Sequence, residues 1–246
     1  MEKLVNRLLI VMLVLSVICG GGAYLFRNSE RAEMASDDLT FRICDYINVN
    51  VLRMDVTVIP YDGERIRITY TNDLPLNIER GDNSLSISES DDFVISLFWS
   101  SGADCMLYLY LPRRIYRDIS ISTGGGNVTI GGVDSELISI STKSGNIFSE
   151  NTVALSRFET SSGEISVDFA EIVEETTVVS RSGDVRLIFP KGSSVALDYE
   201  TVTGDFETKL ISGKPSGSDI YGFNGGERLI HATAEKGTLF VSEKGT

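Results

Sequence analysis

The sequence predicts an all-β chain that stacks copies of one small unit into a β-solenoid, and three observations carry that prediction. First, a phrase recurs: STGGGNVTI, STKSGNIFS, ETSSGEISV, VSRSGDVRL and ETVTGDFET, then a looser ATAEKGTLF. Aligned on Gly126, Gly145, Gly163, Gly183, Gly204 and Gly237, the copies lie about 20 residues apart except across the last gap, a period that marks stacked supersecondary units. Second, apolar and polar residues alternate around each glycine. Val128, Ile147, Ile165, Val185, Phe206 and Leu239 stand two places after it, and Ile121, Ile140, Phe158, Val178, Tyr199 and Ala232 five places before. Period two is the period of a strand. Third, the glycines sit in turn chemistry. Thr123, Thr142, Thr160, Ser180, Thr201 and Ala234 precede them by three, and Asn127, Asn146, Glu164, Asp184, Asp205 and Thr238 follow directly. Glycine takes positive φ there at no steric cost.

Each unit therefore reads strand, tight turn, strand. It is too small to bury its own apolar face. Stacking successive units places Val128, Ile147, Ile165, Val185 and Phe206 in one interior ladder, at the usual strand spacing of about 4.8 Å. The Thr123, Thr142, Thr160, Ser180, Thr201 column forms a second ladder, with hydroxyls bonding along the stack. Antiparallel hairpins in a sandwich are the competing reading, since they also give closely spaced strands. A sandwich does not need the same residue class at the same offset in every unit.

Along the chain, residues 8–26, LLIVMLVLSVICGGGAYLF, form an uncharged apolar run of 19 residues, just long enough to span a bilayer as a helix. Lys3 and Arg7 precede it, which favours a cytoplasmic N-terminus. The expectation is an uncleaved anchor over residues 1–30 and a linker over 31–39. A cleavable signal peptide ending at the small residues Gly21-Gly22-Ala23 is the alternative. Lipidation of Cys19 fits poorly, because Ile18 and Ser16 stand where a small residue and a leucine are wanted. All three options put residues 31–246 outside the cytoplasm.

From 40 to 246 the pattern reads as one β-domain. NVNVLRMDVTVIP looks like the repeat unit with Met54 in the glycine slot. ERIRITYTND, LPLNIERGDNSLSISES and FVISLFWSSGADCMLYLYLP supply further strands, with turns at Asp62–Gly63, Asn72–Asp73 and Gly81–Asp82. The Gly- and Ser-rich stretch 212–227 accounts for the long last gap and reads as a surface loop between the last two coils.

Charge narrows the function. The chain holds 22 Lys+Arg and 35 Asp+Glu. The first 30 residues contain three basic and two acidic ones, which leaves 19 and 33 for the rest, a net of −14. A domain this acidic offers no basic patch to nucleic acid or anionic lipid. Cys44 and Cys105 are the only cysteines outside the anchor. They read equally well as a disulfide in an oxidising compartment or as two buried thiols.

Catalysis finds little support. His231 is the only histidine and alternation points it outward from a strand. No G-x-S-x-G elbow, P-loop or zinc spacing occurs. Gly124-Gly125-Gly126 precedes a strand, unlike a dinucleotide loop. The column Asn127, Asn146, Glu164, Asp184, Asp205 stacks carboxylates at one turn, and on neighbouring coils Asp184 and Asp205 would lie roughly 5 Å apart. That spacing suits a glycosidase pair or a calcium site. Exposed turn residues explain the column more simply. No catalytic, cofactor-binding or metal-binding residue is assigned.

The phrases STKSGNI, ETSSGEISV, SRSGDVRLIFPKGSS and ETVTGDFET, with the lead-ins DVTVIPYDGERIRITY and LYLYLPRRIYRDISISTGGGNVTI, resemble the bacterial putative-adhesin family of β-strand repeat proteins, a domain of unknown function marked by serial T-x-S-G-D-I copies. The resemblance covers roughly residues 40–246. It implies a right-handed single-stranded β-helix or β-roll in a membrane-anchored or exported protein, and it brings no catalytic residues. The expected function is a membrane-anchored extracytoplasmic β-solenoid acting as a non-catalytic surface interaction, adhesin-like or scaffold domain, with no cofactor. A protein or envelope polysaccharide is the expected partner. The alternatives are an envelope-stress regulatory protein contacting a membrane sensor and, less readily, a polysaccharide-active enzyme.

Overall fold

Alternating buried and exposed side chains build twenty strands in the computed structural model, which describes residues 39–71, 76–89, 105–172, 175–208, 218–224, 226 and 228–245. In chain order they are β1 (Leu39–Arg42), β2 (Tyr46–Val51), β3 (Asp55–Tyr61), β4 (Arg65–Thr71), β5 (Leu76–Arg80), β6 (Ser84–Glu89), β7 (Met106–Pro112), β8 (Tyr116–Thr123), β9 (Val128–Gly131) and β10 (Ser135–Thr142). They continue as β11 (Ile147–Thr152), β12 (Leu155–Thr160), β13 (Ile165–Phe169), β14 (Thr176–Ser180), β15 (Val185–Phe189), β16 (Val195–Thr201), β17 (Phe206–Thr208), β18 (Ser218–Phe223), β19 (Arg228–Ala234) and β20 (Leu239–Glu243). Every regular element among the described residues is a strand, as the period-two pattern requires. The apolar run 8–26 and Cys19 lie outside the described residues.

The strands form two ten-stranded sheets. One runs β1-β4-β7-β3-β9-β11-β13-β15-β20-β17, and the other β18-β16-β19-β14-β12-β10-β8-β2-β6-β5. A coil is a strand of the second sheet, a glycine turn, and a strand of the first. The pairs β8–β9, β10–β11, β12–β13 and β14–β15 stack in chain order, parallel in both sheets. Between the sheets lies one core, in which Ile121, Ile140, Phe158 and Val178 stack from the second sheet and Val128, Ile147, Ile165 and Val185 from the first.

At both ends chain order and stacking order part. The coil β2–β3 lies between β6–β7 and β8–β9, and β19–β20 between β14–β15 and β16–β17. The expected ladder from Val185 to Phe206 is thus interrupted by Leu239, which pairs with both. The rings explain why β16–β17 is outermost. Tyr199 and Phe206 stack at 4.4 Å and Tyr221 of β18 packs against both, closing the end of the core. The small Ala232 fits between Val178 and Tyr199. Part of the expected loop 212–227 is therefore structural: β18 pairs antiparallel with β16 and caps the second sheet. At the opposite end β4, β1 and β5 cap the stack in antiparallel pairings.

Candidate functional site

Three columns at the glycine turns hold the chemistry that the repeat offered, and the geometry gives each a structural task. The glycines are needed for closeness of approach, not for positive φ as the turn chemistry suggested. The described glycines with positive φ are Gly132, Gly192, Gly226 and Gly245. A Cβ at Gly145 would lie 1.9 Å from the Gly126 carbonyl oxygen, at Gly163 2.0 Å from that of Gly145, and at Gly183 2.0 Å from that of Gly163. The line continues through Gly237 to Gly204. It begins at Met54, whose carbonyl oxygen lies 1.8 Å from a Cβ at Gly126, so Met54 does occupy the glycine slot of its coil.

The hydroxyl column runs beside it. The Gly126 N–H donates to Thr123 Oγ1 at 3.0 Å and the Gly145 N–H to Thr142 Oγ1 at 2.9 Å. Thr142, Thr160 and Ser180 in turn donate to the carbonyls of Gly126, Gly145 and Gly163 on the preceding coil. The expected bonding along the stack is present, routed through glycine carbonyls.

The column of Asn127, Asn146, Glu164, Asp184 and Asp205 was the one place where carboxylates could converge. Its side chains accept backbone N–H groups of the next coil: Asn127 to Asp55 Oδ1 at 2.7 Å, Asn146 to Asn127 Oδ1 at 2.9 Å, Glu164 to Asn146 Oδ1 at 2.8 Å and Thr238 to Asp184 Oδ1 at 2.8 Å. Because the Gly237 coil intervenes, Asp184 and Asp205 are not on neighbouring coils. That separates the pair a glycosidase or calcium site would have used. Among the described residues no group of three or more His, Cys, Asp or Glu converges as a metal site.

His231 faces outward from β19, as alternation suggested. Its Nδ1 lies 2.8 Å from Asp198 Oδ2 and its Nε2 3.2 Å from Glu175 Oε1. The ring therefore bridges the strands on either side of the inserted coil. Cys44 and Cys105 are both thiols. Cys44 is fully buried before β2, and burial pushes its thiol above the ordinary range, away from the thiolate a nucleophile needs.

The outer face of the second sheet is open to solvent, and its two halves differ. Register aligns Ser86, Asn48, Ser120 and Ser139 in one row across β6, β2, β8 and β10, and Ser88, Asn50, Ser122 and Ser141 in the next. Continued toward β16, the same rows become Arg157, Thr177, His231, Asp198 and Glu159, Val179, Thr233, Glu200. The first half is thus an array of short, uncharged hydroxyls and amides. A third row beside it reads Ser84, Tyr46, Asp118, Leu137 and Leu155. Tyr46 is 45% exposed and Leu155 39%.

Asp118, between Tyr46 and Leu137, is the unusual member. Its Oδ1 is buried and meets no hydrogen-bond donor among the described residues. That burial raises the carboxyl above its ordinary range. Nearby Asp45 behaves oppositely: a hydrogen bond from Asn83 at 2.9 Å, and then Arg114, hold it below that range. Next to this row an open groove of about 330 Å³ is lined by Ile115, Asp134, Ser135, Glu136, Val153, Ala154 and Leu155. Sequence reasoning missed this face. The alternation S-x-S and N-x-N in β6, β2, β8 and β10 was visible, but placing β2 beside β8 was not.

Known proteins bear on the fold. A putative cell adhesion protein from Clostridium sporogenes superposes with a TM-score of 0.51 at 13% identity, covering 85% of this chain and 100% of that one. A putative adhesin from Bacteroides fragilis aligns with a TM-score of 0.40 at 9% identity over 84% of this chain and 95% of its own. No curated protein matches the sequence. The Toastrack DUF4097 model matches residues 44–156 and again 130–241. Between them these spans take in all seven slots of the glycine line, Met54 included, and the chain belongs to the Toastrack DUF4097 family.

Proposed function

We propose that this chain is a membrane-tethered, extracytoplasmic interaction domain, adhesin-like and non-catalytic, whose right-handed stack of coils serves as a rigid scaffold for an exposed face. The observation that carries the reading is the division of labour between columns. Asp55, Asn127, Asn146 and Asp184 at the turns accept backbone N–H groups of the next coil, while the outer face of the second sheet displays a regular polar array in which Ser141 and Ser122 are bonded to each other. The handedness follows from the strong preference of parallel crossovers. The apolar run 8–26 with Lys3 and Arg7 before it supports the anchor and the outward side. A solved structure that shares the fold carries the name of a putative cell adhesion protein.

The test uses cells that produce the full chain. Protease added outside should digest the domain and leave a small N-terminal stub, and the same cells should bind isolated envelope material more than cells lacking the chain. Protection until lysis, or equal binding by both cell types, would overturn the proposal.

A further inference from the structure

We infer that the uncharged half of the second sheet's outer face binds a neutral glycan chain, with Tyr46 and Asp118 as its principal contacts. The inference rests on the interaction-domain reading and names the partner's chemistry.

Charge selects against other occupants. The domain is strongly acidic, yet the rows Ser86–Asn48–Ser120–Ser139 and Ser88–Asn50–Ser122–Ser141 carry no charge. A cationic partner would be drawn to the acidic surface elsewhere, and an acidic polymer would be repelled by the whole domain. Protein interfaces are depleted of serine relative to the rest of the surface. This array consists of six serines and two asparagines, with Ser122 and Ser141 bonded to each other at 3.3 Å. Serine hydroxyls and asparagine amides both donate and accept, which matches the hydroxyls of a sugar.

Two further features point the same way. Tyr46 presents an exposed ring beside the array, and a ring with an apolar face and a polar tip suits a sugar, which has both. Asp118 stands in the row beside the array with its carboxyl half-buried, and its open part accepts hydrogen bonds. A hydroxyl-rich ligand on this face can donate to that open part of the carboxylate. Because β6, β2, β8 and β10 are parallel and in register, the same chemical group returns at each strand, about 4.8 Å apart. A repeating polymer lying across the strands meets an equivalent contact at every step. The groove bordered by Leu155 and Ile115 extends the track past the third row.

The experiment measures binding of the purified full chain, in detergent, to three probes: a β-1,4-linked N-acetylglucosamine hexasaccharide, a neutral β-glucan oligosaccharide, and polygalacturonate as the acidic control. At least one neutral probe should bind and the acidic one should not. Tyr46→Ala and Asp118→Ala should each weaken binding at least tenfold, Tyr46→Phe should retain most of it, and Phe240→Ala on the other sheet should leave it unchanged. Tyr46 is exposed enough for its variants to fold, and thermal melts check Asp118→Ala. Binding unaffected by both alanine variants, or equal binding of the acidic probe, would overturn the inference. If neither neutral probe binds while cells producing the chain still capture envelope material, the glycan assignment fails and the interaction-domain reading stands.

Discussion

The four central coils and the two ends of the stack follow different rules. From Gly126 to Gly183 each coil lies on the one before it in sequence, and glycine approaches carbonyl at 1.9–2.0 Å of notional Cβ distance. At the ends the chain doubles back: β2–β3 and β19–β20 are enclosed by coils that are not their sequence neighbours on one side. The centre shows that a repeat fixes how one coil sits on another. The ends show that it does not fix which coil sits there. Order at the ends is decided by what can close the core, and rings such as Tyr199, Phe206 and Tyr221 do that better than Ala232 and Ala234.

The strongest way to break this comparison is to remove an end. A chain stopped after residue 227 loses β19 and β20, and with them the strand that joins β17 to β15. Ile230, Leu239 and Val241 are almost wholly buried, and each such side chain is worth about 1.5–3 kcal/mol. Limited proteolysis should show β16–β18 digested along with the core edge at β14–β15 exposed. Survival of a protected β16–β17 coil would mean that the enclosed coil is dispensable.

Next in size is a pair of glycine substitutions. Gly163→Ala puts a methyl against the Gly145 carbonyl with coils stacked on both sides. Gly204→Ala makes an equally close contact with the Gly237 carbonyl, but its coil is outermost and can move. Overpacking costs about 1–3 kcal/mol and occasionally more. The central variant should reach or exceed the top of that range, and the end variant should stay in its lower half, by calorimetric melting. Equal losses would erase the distinction between centre and end.

Asp184→Asn tests the junction between the two regions, where Asp184 receives the Thr238 N–H. An amide oxygen accepts as well, as Asn127 and Asn146 do on the central coils. The change should stay within about 0.5 kcal/mol, with or without added calcium. A loss that appears only with calcium present would restore the metal reading.

A smaller effect is expected at Asp118, outside the turns. Burial raises its folded pKa, so the folded state holds its proton more tightly than the unfolded chain. The associated stability is complete below the unfolded pKa and is lost as pH rises through the folded one. Asp118→Asn should therefore melt slightly higher than the parent at pH 7, by about 1–2 °C, and the difference should vanish near pH 3. A difference that grows on acidification would reverse the assigned cause.

Much of the centre was legible because repeated offsets report repeated environments. The inward columns and the hydroxyl ladder followed from residue classes at fixed offsets from the glycines, and the Met54 slot from the same apolar alternation around it. The reason for the glycines was not legible, since a close carbonyl and a positive φ both select glycine. Neither was the order of the last coils. Val185 is followed in sequence by the Phe206 unit, and only three-dimensional packing puts Leu239 between them. The same rearrangement hid the partners of His231, because Asp198 and Glu175 reach it from strands distant in sequence. Strand β18 was concealed by its Gly- and Ser-rich surroundings, and Asp118 by the need to know that β2 lies beside β8.

The enclosure of β19–β20 also sets a timetable. A polypeptide is made, and where it is exported is threaded, from its N-terminus. Coils β8 to β15 can add one upon another as they emerge. The Tyr199 coil cannot take its place then, because the slot beneath it belongs to residues 228–243, which are made after it. Its pairings wait for that later segment, and such long-range closure slows folding. The enclosed coil is thus a keystone, and a product terminated before it would carry open strand edges that mark it for removal.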